Sequence, residues 1–299
     1  MNDNEWLADR FEEHRAHLRA VAYRMLGSLT EADDAVQDAW LRLSRSGAGG
    51  VENLGGWLTT VVARVCLNIL RSRTGRREES FGVHVPDPVI SPDETPQPEA
   101  EALLADSVGL ALLVVLDTLA PAERLAFVLH DMFQVPFKEI APMVGRSPEA
   151  ARQLASRARR RVRGAEVPTP DPDPARQRDV VDAFFSAARG GDFEALVALL
   201  DPGVVLRIDA GASRFAASMV VHGASGVARQ AMRGLKTALQ AAHLRPALVG
   251  GAAGVVVSIG GQPTAVIGFT ITEGKIVEID AVADPERVGR IAATVLDDE

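Results

Sequence analysis

The sequence predicts a multidomain chain in which two all-α domains are followed by an α+β cone. Three observations carry this. Apolar residues recur at helical spacing as far as residue 164, two proline-rich runs at 80–101 and 167–174 interrupt the pattern, and beyond residue 240 short β-branched runs replace it. Proline fixes φ and removes a backbone donor, so neither run continues a helix or forms a central strand. The expected division is 1–79, a linker at 80–104, 105–164, a second linker at 165–175, and 176–299.

Residues 5–79 read as three helices. Trp6, Phe11, His14, Leu18, Val21, Ala22, Met25 and Leu26 give the first an apolar side, which ends near Gly27. The second is expected to open on Thr30 as N-cap with Asp33 three residues on, and to turn Val36, Ala39, Trp40 and Leu43 inward. Asp34, Gln37, Asp38 and Leu41 then share the outer face, which suits a protein-docking surface, although a solvated helix with one stray leucine is the commoner source of such a face. The third runs over 54–73 with Leu58, Val61, Val62, Val65 and Ile69 as its core side and Arg64, Asn68 and Arg71 outward, followed by Arg73, Arg76 and Arg77. Trp57 beside these arginines suits base stacking on single-stranded nucleic acid; taken alone it also suits a core.

After the first proline run an apolar helix over 102–120 opens the second domain. Its end, 137–163, reads as a short helix, a turn at Gly145 and a longer helix begun by Ser147 as N-cap, Pro148 and Glu149. Ala151, Leu154, Ala155, Ala158 and Val162 form its apolar stripe. Gln153, Ser156 and Arg160 point the other way, flanked by Arg152, Arg157 and Arg163, with no acid in the helix between Glu149 and Glu166. That is the footprint of a helix laid in a DNA major groove, although a basic solvated helix end shows much of it too. Pro142 predicts that the first helix of the pair is short or kinked.

The tail begins with two helices over 176–200 joined at Gly190-Gly191, a run at 204–209, and a helix near 225–238. Strand-like runs follow at 243–249, 254–259, 264–272 and 275–282, with a hairpin turn at Glu273-Gly274. Helices first and a curled antiparallel sheet after make a cone with a pocket.

A formal net charge of -8 over 299 residues excludes an indiscriminate polyanion binder, yet the arginines concentrate at 64–77 and 146–163. The single cysteine, Cys66, sits in an apolar helical pattern, which excludes internal disulfides and makes packing its expected role. Residues 2–13 are acidic where a signal peptide needs a basic flank, and the longest apolar run, 108–116, is too short to cross a bilayer. Residence in the cytoplasm without a membrane partner is therefore expected. Gly-rich phosphate loops, His-Glu-x-x-His and Gly-x-Ser-x-Gly patterns are missing, and no metal or cofactor is expected. Asp209, His222 and His243 are the acid–base candidates of the tail. Catalysis would require them to converge on one pocket, and the expectation is that the chain is not an enzyme.

TEADDAVQDAWLRL at 30–43, GGWLTTVVARVCLNILRSR at 55–73, and LAPAERLAFVLHDMFQVPFKEIAPMVGRSPEAARQLASRARRRVR at 119–163 together resemble regions 2 and 4 of an extracytoplasmic-function (ECF) sigma factor. The resemblance covers the first 164 residues and implies a promoter-recognition subunit of bacterial RNA polymerase. It implies core polymerase docking, on the β′ and β subunits, through Asp34, Gln37, Asp38 and Leu41. It further implies contact with the -10 element through Trp57, Arg64, Asn68, Arg71 and Arg73, and with the -35 element through Arg152, Gln153, Ser156, Arg157 and Arg160. Phe133 departs from the pattern, standing near a position where that family often has glycine. The proline-rich linker, by the same resemblance, threads the polymerase toward its active centre.

The tail is similar to the SnoaL-like fold, and sigma factors carrying such a tail form a subgroup in which it regulates activity. Val85-Pro-Asp-Pro88, Asp209-Ala-Gly-Ala-Ser-Arg214 and Asp284-Pro-Glu-Arg287 resemble that subgroup's motifs, which implies regulatory contacts at Pro86, Asp87, Pro88, Asp209, Arg214, Asp284 and Pro285. Core polymerase and promoter DNA are the implied partners, with an unknown small-molecule ligand of the C-terminal domain as a further candidate. The rival reading is a one-component helix-turn-helix transcription factor with a small-molecule-sensing tail.

Overall fold

The computed structural model describes residues 3–46, 53–77, 83–92, 109–165, 167–211, 217–237 and 242–296. It divides into two compact units, one formed by Met1–Phe81 with Leu112–Val167, the other by Gly82–Ala111 with Pro168–Glu299. The glycine-rich segment at 47–50 and residues 102–108 of the helix expected over 102–120 lie outside the described residues.

In the first unit α1 (Asp3–Leu26), α2 (Leu29–Ser46) and α3 (Leu54–Arg77) pack around Phe11, Leu18, Met25, Val36, Leu43, Leu58, Val62 and Leu67. Cys66 is fully buried there, and burial pushes its thiol up to about 12, so it packs as an unreactive side chain. The tryptophan expected on the inner side of α1, Trp6, is instead 45% exposed. Five residues separate it from Phe11, which places the two about 140° apart around the helix, too far for one narrow stripe. On α3 the buried set is Leu58, Val62, Ala63, Cys66, Leu67 and Leu70, while Val61, Val65 and Ile69 are half-buried. The core side is thus turned by about one residue from the sequence expectation, because apolar residues crowd 57–70 on more than one side of the helix and leave its periodicity ambiguous.

The N-cap of α2 also lies earlier than expected. The Ser28 hydroxyl accepts from the Glu31 backbone N–H at 3.4 Å, so Ser28 is the N-cap, and Thr30 already belongs to the first turn of α2. Gly27, at φ 66°, ends α1 and leaves only Ser28 for the corner.

The same unit holds α4 (Leu110–Asp117) from Leu112 onward, α5 (Pro121–Phe127), a π-helical turn (Val128–Met132), α6 (Phe137–Val144) and α7 (Pro148–Gly164). Pro142 does sit inside the eight-residue α6, which stops at left-handed Gly145, φ 67°. Phe133 follows the π turn, and its neighbour Gln134 takes the left-handed conformation, φ 58°, where glycine would be unstrained. The Phe133 ring sits 4.9 Å beneath the Arg24 guanidinium and edge-on to His17 at 5.2 Å, which ties the turn to α1. Beside it the buried Arg124 donates to the Arg24 carbonyl at 3.1 Å and pairs with Asp117 at 3.0 Å.

The second unit is the expected helices-then-curled-sheet cone. Helices α8 (Pro174–Gly190) and α9 (Phe193–Leu199) break at left-handed Gly191, and Asp192 caps the second. The sheet comprises β1 (Ile90–Pro92), β2 (Leu200–Asp209), β3 (Met219–His222), β4 (Ala242–Val249), β5 (Ala252–Ile259), β6 (Gln262–Thr272) and β7 (Lys275–Val282), in the order β1-β4-β5-β6-β7-β2-β3. Among the described residues only β2 and β7 pair in parallel; Glu273 and Gly274, both at positive φ, make the β6–β7 hairpin. Register shifts after Val257 and Thr270 curl the sheet.

The concave face packs on α8, α9 and α10 (Ala224–Thr237) around Phe184, Phe185, Leu206, Val227, Phe269 and Ile279. The convex face buries Val85, Ile90, Leu110, Val249, Val282 and, from α11 (Pro285–Leu296), Val288 and Ile291. The paired glycines Gly254 and Gly268 admit this layer, since a Cβ on Gly254 would come within 2.5 Å of Val249 and of the Ile267 carbonyl. The two short strands β1 and β3 are the sheet's edges, and neither was legible as a strand in the sequence.

Candidate functional site

Helix α7 is built as a presented surface. Ser147 accepts from Ala150 N–H at 3.2 Å, Pro148 starts the helix, and Ala151, Leu154, Ala155 and Ala158 are buried. Val162, expected in the same stripe, is half-buried. Arg152, Gln153, Ser156, Arg157 and Arg160 are all exposed. The helix carries no acid of its own along this stretch, but acids reach it from the elements it packs on. Arg157 and Arg161 converge on Glu123 of α5 at 2.8 and 3.0 Å, and Arg159 pairs with Asp131 at 2.5 Å. The Arg152 guanidinium lies 5.5 Å over the Phe137 ring. Gln153, Ser156 and Arg160 therefore form the outward centre, while Arg157 also braces the helix.

On α3, Arg64, Asn68 and Arg71 are exposed and share one face by their spacing, with Trp57 half-buried near the helix start. Arg73 behaves differently: it donates to the Leu26 carbonyl at 3.0 Å and forms an ion pair with Glu31, pinning the end of α3 to the α1–α2 corner. On α2, Asp34, Gln37 and Leu41 are exposed, Leu41 by 40%, and the half-buried Asp38 pairs with Arg42 at 2.9 Å.

The linker motif sits in a densely bonded polar cluster of the second unit. Val85, Pro86, Asp87 and Pro88 are buried. Arg287, in the first turn of α11, directs Nε to Asp87 at 2.7 Å, Nη1 to Asp209 at 2.6 Å and Nη2 to the Val85 carbonyl at 2.5 Å. Asp209 accepts in addition from the Val85 N–H at 3.0 Å and from Gly211 N–H at 3.1 Å, with His84 Nδ1 at 3.3 Å. Burial works against the Asp209 carboxylate, but His84, the Val85 amide and Arg287 outweigh it and hold its pKa well below the usual carboxylate range. Asp284 caps α11 by accepting from Arg287 N–H at 2.9 Å, and Pro285 is the first residue of that helix. Gly211 lies so close that a Cβ there would meet Asp284 at 1.9 Å. Of the expected contact set, Arg214 lies outside the described residues. Two residues were missed: Arg287, visible as the last position of Asp284-Pro-Glu-Arg287, and His84, one position before the linker motif.

The acid–base candidates of the tail do not converge. Asp209 belongs to this cluster on the convex side, while His222 and His243 are exposed on β3 and β4. Among the described residues no group of three or more side chains could hold a metal ion, and no helix is long and apolar enough to cross a membrane.

A three-helix module carrying an arginine face, followed by a helix-turn-helix with a second such face, has the two-part form of a sigma-70-type factor. Residues 10–76 match the family model for Sigma-70 region 2, and residues 109–162 that for Sigma-70 region 4. The chain is 38% identical over 287 residues to the ECF RNA polymerase sigma factor SigJ of Mycobacterium tuberculosis, covering 93% of this chain and 91% of that one. It is 33% identical over 296 residues to the probable ECF RNA polymerase sigma factor SigI of the same species, covering 98% of each. The crystal structure of M. tuberculosis SigJ superposes with a TM-score of 0.73 at 34% identity, over 94% of this chain and 97% of that one. The chain belongs to the ECF RNA polymerase sigma factors, and its function is promoter-specific initiation of transcription with core RNA polymerase.

Proposed function

We propose that the C-terminal domain controls initiation by holding the linker between the two DNA-reading modules, and that Arg287 is the residue that holds it. The supporting observation is the Arg287 cluster, in which all three guanidinium nitrogens bond to the linker or to the aspartate that also binds it. While Val85 to Pro88 are buried in the second unit, they are withheld from the polymerase; core enzyme competes for them and shifts the chain to its engaged arrangement.

In this reading Asp34, Gln37, Asp38 and Leu41 dock on the β′ subunit, and further contacts reach β. Trp57, Arg64, Asn68 and Arg71 meet the -10 element, and Gln153, Ser156 and Arg160 meet the -35 element with support from Arg152 and Arg157. Arg73 contributes by fixing the end of α3. The factor works in the cytoplasm, where its polymerase is, and a small molecule taken up by the cone is the input that biases the linker. The one-component reading is not favoured, because an operator-binding factor has no use for the region 2 module matched over 10–76. The test is transcription reconstituted with purified core enzyme and a cognate promoter, comparing the native chain with Arg287→Ala. Higher output from the variant supports linker holding, and unchanged output discards it.

A further inference from the structure

The concave side of the cone contains a cavity of about 130 Å³ that neither the helical modules nor the linker cluster uses. Its walls are Phe184 and Phe185 of α8, Leu206 of β2, Val227 of α10, Phe269 of β6 and Ile279 of β7, with smaller aliphatic residues between them. Strand alternation explains why the lining is uncharged. On β7, Ile279 and Ala281 face inward and Glu278 and Asp280 outward; on β2, Leu206 and Ile208 face inward and Arg207 and Asp209 outward. An ionised occupant would lose its hydration with no counter-charge among the described lining residues, which strongly disfavours it.

The three phenylalanine rings stand nearly perpendicular to one another, with centroids 5.6, 5.6 and 5.8 Å apart, and so offer both edges and faces to a further ring. Among the described lining residues the one polar side chain is Gln230, whose amide oxygen accepts from Arg233 at 3.0 Å. Its amide N–H groups are what it offers an occupant. The size fits one ring, since an apolar cavity of about 150 Å³ accommodates benzene.

We infer that the C-terminal domain binds a neutral, single-ring-sized apolar molecule bearing one hydrogen-bond acceptor, held between the three phenylalanines with the acceptor toward Gln230. The inference rests on the regulatory reading of the tail only for its consequence. Binding is read without polymerase or promoter, so a chain that binds the probes yet transcribes unchanged keeps the site and loses its link to regulation.

The experiment titrates the full chain with ethylbenzene, benzyl alcohol and benzoate and follows the methyl resonances of Val227 and Ile279. Saturable shifts with the first two and none with benzoate are expected. Gln230→Leu should weaken benzyl alcohol by about fivefold, as expected for one hydrogen bond, and leave ethylbenzene unchanged. Ala281→Leu, which fills the cavity, should abolish binding of both. Equal binding of benzoate, absence of methyl shifts with either neutral probe, or binding that survives Ala281→Leu overturns the proposal. Should Ala281→Leu lose its fold, the native titrations and Gln230→Leu decide alone.

Discussion

Arg287 Nε donates to Asp87 Oδ1 at 2.7 Å although 200 positions separate the two residues. Their side chains are 16% and 6% exposed, so the pair is largely shielded from water and from salt screening. Removing one partner of such a pair leaves the other charge buried and typically costs about 3–5 kcal/mol.

Arg287→Ala should therefore release the linker. Limited proteolysis of the free protein is expected to cut within 84–92 much faster in the variant, while the helical unit keeps its native thermal transition. Asp87→Asn, which keeps the shape and one acceptor, should fall between the two. The cluster's acid sensitivity has a definite sign. Asp209 is depressed in the folded chain, so its contribution is fully present above the unfolded carboxylate pKa, about 3.9, and is lost only as pH falls further through the folded value. Linker protection should hold from neutral pH down to about pH 4.

Asp280 carries the opposite sign. Burial is the main cause that raises it, Arg207 opposes this, and the neighbouring Glu278 raises it again, to about 6. One guanidinium faces two carboxylates, at 2.9 Å from Glu278 and 3.1 Å from Asp280, so the folded chain retains a proton that the unfolded chain gives up. Stability from this group should fall as pH rises from about 4 to about 6, with a slope approaching 1.4 kcal/mol per pH unit at most. Asp280→Asn should remove that slope in urea melts compared across the window, and an unchanged slope would assign the proton elsewhere.

Arg160 and Arg157 should separate reading from bracing. Arg160→Ala is expected to weaken binding to the upstream promoter element by about 1–3 kcal/mol with no change in melting temperature. Arg157→Ala should do both, because Glu123, whose side chain is 10% exposed, keeps only Arg161. Gel-shift titrations beside thermal melts distinguish them.

Replacing Asp34 and Asp38 together by lysine should weaken association with core polymerase without disturbing α2, since Asp34 is exposed and the Asp38–Arg42 pair is a surface i,i+4 contact of roughly 0.3–0.5 kcal/mol. Co-elution with core enzyme measures it, and undiminished co-elution moves the docking face off α2.

Local signals were legible where one residue type has one local use. Ser147 with Pro148, the Gly145 turn, the Gly190-Gly191 break and the Glu273-Gly274 hairpin all stand where the sequence put them, because caps and left-handed turns are decided within four residues. The cap of α2 was read two residues late, since Ser28 and Thr30 are both good caps and only the position of the α1 terminus chooses between them.

The chain by itself determined its order of helical modules, proline linker and curled sheet, and which faces carry arginine, because periodicity and proline act locally. Tertiary structure decided which of those arginines are already engaged: Arg157 by Glu123, Arg73 by Glu31, and Arg287 by a linker 200 residues upstream. Coulomb attraction depends on distance in space, and partners brought together by folding leave no spacing rule for a sequence to display.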